Sequence, residues 1–578
     1  MLYNAALAPD CGWLDYLEVM FYGLTLDSTM SAYLVVLPFL LVGISIWVKK
    51  LPFRKILIAY YAVIALLISV AFVMDMTLYA FWNFKLDTTP FIYSPSDGSS
   101  SVPWFFIPVR VLIACALAVL LFRILWKITP KRLSVATQKI ADTLGMIALS
   151  GVLFVTIRGG VSASSSNIGR AYFSDKLFLN HSAVNPLFSF FYSLGKSDNF
   201  AEQFNFFPEA EREQLFDGLY PTGEGTTEPL LKIDRPNVLI ILWESFGGNF
   251  TEAIGENAAI TPNFNQLTKE GIFFENYYSN SFRTDRGTIC ALSGYPGLPT
   301  VSVMKLPVKS QTLPSIAKTL SKAGYKTDFL YGGDINFTNM QSYFRSTGYQ
   351  KITADVNFSL KDRVTNAWGV NDEITFNHLY QQIQSRKDSP WHTGFLTLSS
   401  HEPFRVPYHR LADKITNAFA YTDNCLGEFI ARLKKTPAWD NLLIIIMPDH
   451  GSPYPHTLTV QNPDFFYTPM LWLGGAVAQP VKVEKLVNQT DVSATLLAQL
   501  HLPHDDFKFS RDVFNSDYTY PFAFFSFNNG MGFRDSTGVS VYDNVSGTVI
   551  FEQPATNENR VNRAKAILQT VYDDLGTR

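Results

Sequence analysis

Charged residues are scarce in this sequence, and the scarcity is uneven. Only 17% of its 578 residues are Asp, Glu, Lys or Arg, against about 25% in soluble proteins. Residues 1–160 hold 8 acidic and 12 basic residues, while 47% of the whole chain is hydrophobic and 15% is aromatic. This composition excludes a disordered chain, and the net charge of −3 excludes nucleic-acid binding through bulk positive charge. It also excludes an enzyme that is soluble from end to end.

Cysteine is scarce as well. The four cysteines are Cys11, Cys115, Cys290 and Cys425, and no two of them have the CxxC spacing. Cys115 lies in an apolar segment, so at most one disulfide bond can form in the rest of the chain. The sequence is compatible with an oxidising compartment but excludes a disulfide framework.

Long apolar runs, by contrast, are abundant in the first 160 residues. Four of them come near the 17–25 residues that cross a bilayer, and Trp, Tyr or basic residues stand at their ends. They are Ala32–Val48, Ile56–Met74, Val111–Trp126 and Thr143–Ile157. The alternative is four buried core helices, which the consecutive placement and shared charge asymmetry of the runs disfavour. We therefore predict a transmembrane region over residues 1–160.

Basic residues cluster in two of the loops between these runs, and their placement predicts the orientation. The clusters are Lys49, Lys50, Arg54 and Lys55, and Arg123, Lys127, Lys131, Arg132 and Lys139. Residues 1–48 contain no basic residue, and residues 75–103 contain only Lys85. By the positive-inside rule the two basic loops are cytoplasmic, and the chain after about residue 158 lies outside. An outer start without basic residues predicts a fifth spanning segment upstream, missing from this chain.

The remainder divides by composition into a connector over residues 161–233 and an α/β domain over residues 234–578 with a small C-terminal subdomain. Continuous apolar runs of strand length predict parallel, fully buried strands. These runs are Val238–Trp243, Thr327–Tyr331, Gly394–Leu398 and Leu442–Met447. Helical stretches alternate with them: Thr261–Glu270, Ser315–Ala323, Asp372–Ser385, Ala418–Leu433 and Asp491–Leu500. This alternation predicts a doubly wound sheet, with its active residues beyond the carboxyl ends of the strands.

Metal-ligand side chains follow two of the predicted strands. Glu244 comes directly after the first, and Asp449 and His450 follow the last within Asp-His-Gly. Two carboxylates and an imidazole suit one divalent cation such as Mn²⁺, Zn²⁺ or Mg²⁺. Each motif alone has a plainer explanation, since Asp-His-Gly often forms a turn and a Glu often follows a strand. Their joint placement favours a metal site.

A doubly basic loop, Ser281–Thr288, precedes a predicted helix. In it the hydroxyl of Thr284 stands between Arg283 and Arg286. Helix N–H groups and guanidinium groups bind tetrahedral anions, and a nearby metal ion lowers the pKa of a hydroxyl. The alternative is a threonine that caps a helix in a salt-bridged loop. Residue types alone leave both interpretations open.

Taken together, Glu244, Thr284 and Asp449-His450 resemble the alkaline phosphatase/sulfatase superfamily, and within it the lipoteichoic acid synthase-like phosphoglycerol transferases. Sulfatases carry Cys/Ser-x-Pro-x-Arg before Thr-Gly, and counting back from Ser293-Gly294 places their nucleophile position at Thr284. The residue that sulfatases convert to formylglycine is therefore absent. The resemblance implies that Thr284 is the nucleophile and a metal ligand beside Glu244, Asp449 and His450, with Mn²⁺ as the first candidate ion.

The resemblance also implies substrate contacts. Leu398–Phe404 resembles the family's substrate-binding histidine segment, which makes His401 a substrate-binding and catalytic residue. Asp334 and Asn339 match its headgroup segment, but Thr338 and Met340 replace the Trp and Arg found there. With Arg283 and Arg286, these residues form the predicted substrate site.

The implied protein is a multi-pass enzyme of a bacterial cytoplasmic (inner) membrane, with an extracytoplasmic sulfatase-like domain. It would move phosphoglycerol from a phospholipid such as phosphatidylglycerol to an acceptor hydroxyl on a glycan, lipid or polymer. A phosphoethanolamine transferase or an ester hydrolase on the same scaffold is the alternative. A sensor with an idle fold is a third interpretation, which the complete set of ligand and nucleophile residues disfavours.

Overall fold

The computed structural model describes residues 1–7, 9–82, 85–87, 105–131, 138–162, 164–194, 199–221, 225–255, 257–454, 458–554 and 557–578. The chain folds into two compact units, Met1–Asp198 and Asn199–Arg578. The division falls inside the predicted connector rather than at either of its ends.

Four helices of the first unit are long and apolar enough to cross a membrane. They are α1 (Trp13–Ser45), α2 (Phe53–Trp82), α3 (Phe106–Ile128) and α4 (Lys139–Arg158). Helices α2, α3 and α4 each contain one of the predicted runs, whereas α1 ends at Ser45, three residues before the end of the predicted run Ala32–Val48. Helix α1 starts well before the predicted Ala32. The prediction missed its first half because Asp15, Glu18 and Asp27 interrupt the apolar pattern there.

Two short helices from the first half of the connector complete this unit: α5 (Leu177–Ala183) and α6 (Pro186–Leu194). Leu179 and Leu187 on these helices share a buried cluster with Leu26 of α1. In α5, Nδ1 of His181 lies 2.9 Å from the hydroxyl of Tyr79 on α2. Residues 177–194 therefore contribute to the core of the first unit.

The second unit is built on a mixed sheet of nine described strands. They are β1 (Asn237–Trp243), β2 (Ile272–Tyr278), β3 (Lys326–Tyr331), β4 (Lys351–Thr353), β5 (Trp391–Leu396), β6 (Leu442–Pro448), β7 (Tyr467–Leu473), β8 (Val481–Val483) and β9 (Val487–Asn488). Their order is β4-β3-β5-β1-β6-β7-β2-β8, and β9 also pairs with β2. The first five strands in this order are parallel to one another, whereas β7 is antiparallel to both β6 and β2.

Strand β1 shows why the central strands are apolar at every position. Val238, Ile240 and Leu242 face one buried cluster. Leu239 and Ile241 face a second cluster on the opposite side of the sheet. Because both faces are covered, the run is continuous rather than alternating. The four predicted strands are confirmed as β1, β3, β5 and β6, which are adjacent in the sheet.

The second unit also contains twelve described α-helices and a second, smaller sheet, which precedes the last helix in the chain. The helices are α7 (Phe200–Gln203), α8 (Glu209–Phe216), α9 (Glu252–Gly255), α10 (Pro262–Leu267), α11 (Thr284–Ser293), α12 (Pro307–Ser310), α13 (Ile316–Lys322), α14 (Met340–Ser346), α15 (Asp372–Ser385), α16 (Lys414–Leu433), α17 (Asp491–Gln499) and α18 (Glu558–Thr577). The antiparallel small sheet contains β10 (Ala523–Phe527), β11 (Gly530–Asp535), β12 (Gly538–Asp543) and β13 (Thr548–Gln553). The five predicted helices correspond to α10, α13, α15, α16 and α17.

The second half of the connector packs on the last helix of the chain. The main-chain N–H groups of Phe206 and Phe207 both donate to Oε1 of Gln569 on α18, at 3.0 Å. Arg212 on α8 forms an ion pair with Asp573 on α18. Residues 199–221 are thus part of the second unit.

Candidate active site

Four predicted site residues meet at the carboxyl end of the central strands. Glu244 follows β1, Asp449 and His450 follow β6, and Thr284 is the first residue of α11. One ligand atom from each of Glu244, Asp449 and His450 lies within 4.8 Å of the others. Parallel neighbours β1 and β6 end side by side, so residues about 200 positions apart in sequence become neighbours.

Ser245 fixes the two carboxylates relative to each other. Its backbone has a positive φ of 56°, a conformation that few residues other than glycine adopt. In this turn, the N–H of Ser245 donates to Oδ1 of Asp449 at 2.9 Å, and its hydroxyl donates to Oε1 of Glu244 at 2.7 Å. The sharp turn after β1 therefore orients both acids.

The imidazole of His450 has its tautomer set by the main chain. Nδ1 lies 2.7 Å from the carbonyl oxygen of Gly451, and because a carbonyl only accepts, Nδ1 carries the proton. Nε2 then presents its lone pair 3.6 Å from Glu244 Oε1 and 3.5 Å from Asp449 Oδ2. A lone pair facing two carboxylates is the arrangement of a metal-binding histidine.

The remaining oxygen of Asp449 also fits a cation. Asp449 is fully buried, and within the described part of the chain its Oδ2 has no hydrogen-bond donor. Burial and the neighbouring charge of Glu244 raise the pKa of Asp449 to about 7. Burial lowers the pKa of His450, but the carboxylates of Asp449 and Glu244 outweigh it and raise that pKa. The donor set, with its buried and unbonded Asp449 oxygen, therefore fits one divalent cation.

Thr284 stands beside this cluster with its hydroxyl directed into it. Its Oγ1 donates to Oε2 of Glu244 at 3.2 Å. It opens a ten-residue helix whose preceding residue, Arg283, is extended. The unpaired N–H groups and the dipole at a helix N-terminus attract anions. The hydroxyl of Thr284 and the N-terminus of a helix thus face the same cluster of potential ligands.

A cavity of about 550 Å³ opens over these residues. Its floor includes Glu244, Thr284 and His450, and cationic and aromatic side chains form much of its wall. The other lining residues are Ser245, Phe282, Arg283, Asp285, Lys305, Phe337, Thr338, Ser400, His401, Glu402, Phe404, Ile415, Ser452, Pro453 and Tyr454. A cavity of this size accommodates a phosphorylated headgroup.

Hydrogen bonds to buried groups fix the position of the histidine segment after β5. The buried carboxylate of Asp372, at the start of α15, accepts hydrogen bonds from the N–H groups of Leu398 and Ser399. The hydroxyl of Ser400 donates to the carbonyl oxygen of Glu244 at 2.7 Å. His401 then lines the cavity, where its Nδ1 donates to the carbonyl oxygen of Glu402 at 2.8 Å. Nε2 of His401 consequently carries the lone pair.

Arg286 is not brought to the cavity, unlike Arg283. Its Nε donates to the carbonyl oxygen of Leu298 at 2.9 Å, and its guanidinium lies over the ring of Phe282. Burial lowers the pKa of Arg286. Two residues along a helix correspond to about 200° of rotation, so Thr284 and Arg286 project from opposite sides of α11. The observed contacts of Arg286 are structural.

The predicted headgroup segment contributes different residues from those expected. Asp334 does not line the cavity, and its Oδ1 accepts from the N–H of Asn336 at 3.0 Å. Asn339 is buried below the surface. Phe337 and Thr338 line the cavity in their place. Thr338 and Asn339 both have positive φ, which turns this short segment sharply.

Several lining residues were not predicted. Lys305 reaches the cavity from the turn before α12, and its Nζ lies 3.4 Å from Oδ2 of the buried Asp285. Tyr454 and Phe404 add aromatic surface from two further loops. Nothing in the local sequence marks these residues, because they come from loops that only the folded chain brings together.

The sequence is similar to a protein family model and to curated bacterial proteins. The sulfatase family model matches residues 236–502. A lipoteichoic acid synthase-like protein of Bacillus subtilis is 22% identical over 356 residues, which are 55% of this chain and 56% of the relative. The lipoteichoic acid synthase of Staphylococcus aureus is 24% identical over 370 residues, 58% of this chain and 56% of the relative. The chain thus spans just over half the length of these relatives.

Solved structures agree. A protein in the alkaline phosphatase superfamily from Vibrio parahaemolyticus is 27% identical, with a TM-score of 0.56 over 65% of this chain and 98% of that one. The lipoteichoic acid synthase LtaP from Listeria monocytogenes is 18% identical and shares the fold, with a TM-score of 0.51 over 64% and 98% of the two chains. The chain thus contains a sulfatase-family domain over residues 236–502, and it is similar to lipoteichoic acid synthases of the alkaline phosphatase/sulfatase superfamily.

Proposed function

We propose that the protein is a membrane-anchored transferase that moves a phosphoglycerol headgroup from a phospholipid to an acceptor hydroxyl. The observation that carries this proposal is the position of Thr284. Its hydroxyl lies 3.2 Å from Glu244 at the N-terminus of a helix, beside the ligand atoms of Asp449 and His450. A threonine in this position supports covalent transfer of a phosphoryl group.

In the first step, Oγ1 of Thr284 attacks the donor phosphorus and forms a phosphoglyceryl-threonine ester. The bond from phosphorus to the diacylglycerol oxygen breaks, and diacylglycerol leaves. In the second step the acceptor hydroxyl attacks the same phosphorus and releases the threonine hydroxyl. Glu244 already accepts the hydrogen bond of the Thr284 hydroxyl, so a base stands at the proton that the first step removes.

His401 is suited to donate a proton to the diacylglycerol oxygen that leaves and to accept one from the acceptor hydroxyl that attacks. Its Nδ1 is held by the carbonyl of Glu402, which leaves Nε2 for the substrate. Protonated at Nε2, it gives a proton to the diacylglycerol oxygen as that group leaves. Neutral again, it accepts the proton of the acceptor hydroxyl.

A divalent cation and cationic side chains would together balance the negative charge of the phosphoryl group. A divalent cation, with Mn²⁺ as first candidate and Zn²⁺ or Mg²⁺ as alternatives, would be held by Glu244, Thr284, Asp449 and His450 and would stabilise the threonine oxygen and the phosphoryl oxygens. Arg283 and Lys305 contribute cationic groups of the protein from the cavity wall. We place Arg286 outside the direct substrate contacts.

The identity of the donor and the location rest on the relatives and on the first unit. The relatives are named lipoteichoic acid synthases, and four helices are apolar enough to span a bilayer. We propose the cytoplasmic membrane of a bacterium, with the second unit on the extracytoplasmic side. Phosphatidylglycerol is the proposed donor, and a hydroxyl on a glycan, lipid or polymer is the proposed acceptor.

Ester hydrolysis is the second candidate, favoured by the sulfatase family match. A sulfatase mechanism through formylglycine has no residue to use here. Thr284 occupies the nucleophile position, and Cys290 is fully buried with its thiol pKa raised by desolvation. Phosphate esters are therefore the better hydrolase substrates, and water would replace the acceptor in the second step.

The test compares donors on the full-length protein in vesicles. We expect release of diacylglycerol from fluorescent phosphatidylglycerol, loss of that release with chelator, its return with Mn²⁺, and a glycerophosphate adduct on Thr284 by mass spectrometry. Phosphatidylethanolamine and an aryl sulfate serve as comparison substrates. Faster turnover of either one, or lipid cleavage indifferent to chelator, would contradict the proposal.

A further inference from the structure

The loop that follows β4 lies at the active-site edge of the sheet. Strand β4 is parallel to β3, and β3 is parallel to β5, so the carboxyl end of β4 faces the same edge as the ends of β1 and β6. Residues 354–366 leave β4 at that edge, and we call them the rim loop. The rim loop therefore lies at the same edge of the sheet as the cavity, although none of its residues lines the cavity.

The rim loop carries bare apolar side chains. Val356, Leu360 and Val364 are exposed, with Leu360 and Val364 each 78% accessible. A single exposed apolar residue is ordinary in a soluble domain, but three at every fourth position of one short loop form a local apolar surface. Exposed Lys361 stands among them.

Hydrogen bonds within the rim loop fix its conformation, in which Val356, Leu360 and Val364 are exposed to solvent. Arg363 donates from Nε to the carbonyl oxygen of Phe358 at 3.1 Å and from its other end to the carbonyl oxygen of Val356. The hydroxyl of Ser359 donates to Asp362 at 2.7 Å. The polar groups of the loop thus bond to one another, and its apolar side chains project toward solvent.

The rim loop connects to the cavity through aromatic contacts. The N–H of Asp355 donates to the carbonyl oxygen of Gly333, close to the cavity-lining Phe337. Beyond the loop, the ring of Trp368 contacts those of Phe337 and His401, with centroids 5.8 and 4.8 Å apart. Aromatic side chains therefore extend from Trp368, two residues beyond the rim loop, to the proposed proton-transfer residue His401.

We propose that the rim loop docks on the bilayer surface and inserts Val356, Leu360 and Val364 at the level of the lipid headgroups. Apolar side chains with an adjacent lysine suit the interface of a membrane that contains anionic lipid. The four spanning helices place this chain at a membrane. The role in catalysis rests on the proposed function: a docked loop leads a lipid headgroup to Thr284 while the acyl chains stay in the bilayer.

A depth measurement tests docking without requiring activity. The full-length protein, with Cys11 and Cys115 changed to Ser, receives Leu360→Cys and an environment-sensitive fluorophore, in vesicles containing phosphatidylglycerol. Val545→Cys is the matched control, since Val545 is 76% exposed on the β12–β13 turn. We expect the emission maximum of the fluorophore at position 360 to shift to shorter wavelength, and its fluorescence to be quenched by lipids that carry a nitroxide on the headgroup. The fluorophore at position 545 should show neither change. Equal quenching at both positions, or a blue shift without quenching, which indicates a protein partner, would overturn the proposal.

Kinetics then separate docking from chemistry. We expect the double variant Leu360→Gln/Val364→Gln to lower turnover of vesicle phosphatidylglycerol about tenfold, mainly through KM, because two side chains that docking would bury in the bilayer lose their apolar character. Turnover of a water-soluble aryl phosphodiester should stay within twofold, and Val545→Gln should change neither. Equal loss on both substrates, or no loss on vesicles, contradicts the docking role. Wild-type protein that leaves phosphatidylglycerol intact contradicts the proposed donor alone, and the probe at 360 still decides docking.

Discussion

Gly287 on α11 lies against the main-chain carbonyl of Asp449. A Cβ at position 287 would stand 1.8 Å from that oxygen, far inside the contact distance of about 3.5 Å. The helix that carries Thr284, the proposed nucleophile, is therefore packed directly on the turn that carries the proposed ligands Asp449 and His450. Only glycine permits this approach, so the spacing between Thr284 and the ligand cluster depends on a missing side chain.

Gly287→Ala should separate the two elements. We expect the helix to move by roughly 1.5 Å to relieve the contact and activity to fall about 100-fold, because misplacing a catalytic group by about 1 Å has that effect. Steady-state kinetics on vesicles measure it. The control is Gly151→Ala on α4, where a Cβ meets nothing within 4 Å. A Gly287→Ala enzyme within twofold of wild type would show that the packing does not position Thr284.

Thr284→Ala should abolish turnover and leave the fold and the cation site in place. The variant removes the attacking oxygen, while Glu244, Asp449 and His450 remain as ligands, and loss of a covalent nucleophile lowers rates by many orders of magnitude. Thr284→Ser keeps the hydroxyl and should retain measurable turnover. Kinetics with a parallel Mn²⁺ titration by thermal shift check both points, and more than a tenth of wild-type activity in Thr284→Ala would remove the residue from this role.

Cation affinity should depend on pH with a defined sign. The pKa of Asp449 is raised to about 7 by burial and by Glu244, so below this pH a proton occupies the carboxylate that the cation needs. The apparent Kd for Mn²⁺ should therefore rise by about tenfold or more per pH unit as pH falls below about 7. Calorimetric titrations from pH 5.5 to 8.5 measure the slope, with Asp449→Asn as the variant that loses binding. An affinity independent of pH would contradict this assignment.

A fragment of residues 199–578 should fold and bind Mn²⁺ without the spanning helices, whereas residues 234–578 should be less stable. The shorter fragment loses the hydrogen bonds of Phe206 and Phe207 to Gln569 and the Arg212–Asp573 pair. It also exposes the surface that Phe200 buries. We expect its free energy of unfolding to fall by at least about 3 kcal/mol, measured by urea denaturation. Equal stability of the two fragments would return the boundary to the predicted residue 234.

The parallel core was predictable because its strands are apolar on both faces. Strands β1, β3, β5 and β6 stand out as short β-rich runs, and the polar residues that follow them mark their carboxyl ends. Strands β2 and β7 were not predicted. Strand β2 carries Glu275 and Asn276 where its pairing with β7 shifts register, and this breaks the pattern that a buried strand shows.

The site was predictable where chemistry and a strand end coincide, as for Glu244, Asp449 and His450. The cavity wall was not. Lys305 and Phe337 reach it from loops whose direction is set by tertiary packing. Arg286 was predicted to bind substrate because of its charge. The rotation of the helix between positions 284 and 286 directs its side chain away from Thr284.

The proposed ligand atoms come from residues 244, 284, 449 and 450, and Ser245 links the two carboxylates across the ends of the paired strands β1 and β6. No local segment of the chain can assemble the cluster by itself. A bound cation would consequently favour the native state over every partly folded state, by about 2.7 kcal/mol when its concentration is 100 times its Kd. For a chain without a disulfide framework, the concentration of divalent ions around this domain would then affect folding yield as well as turnover.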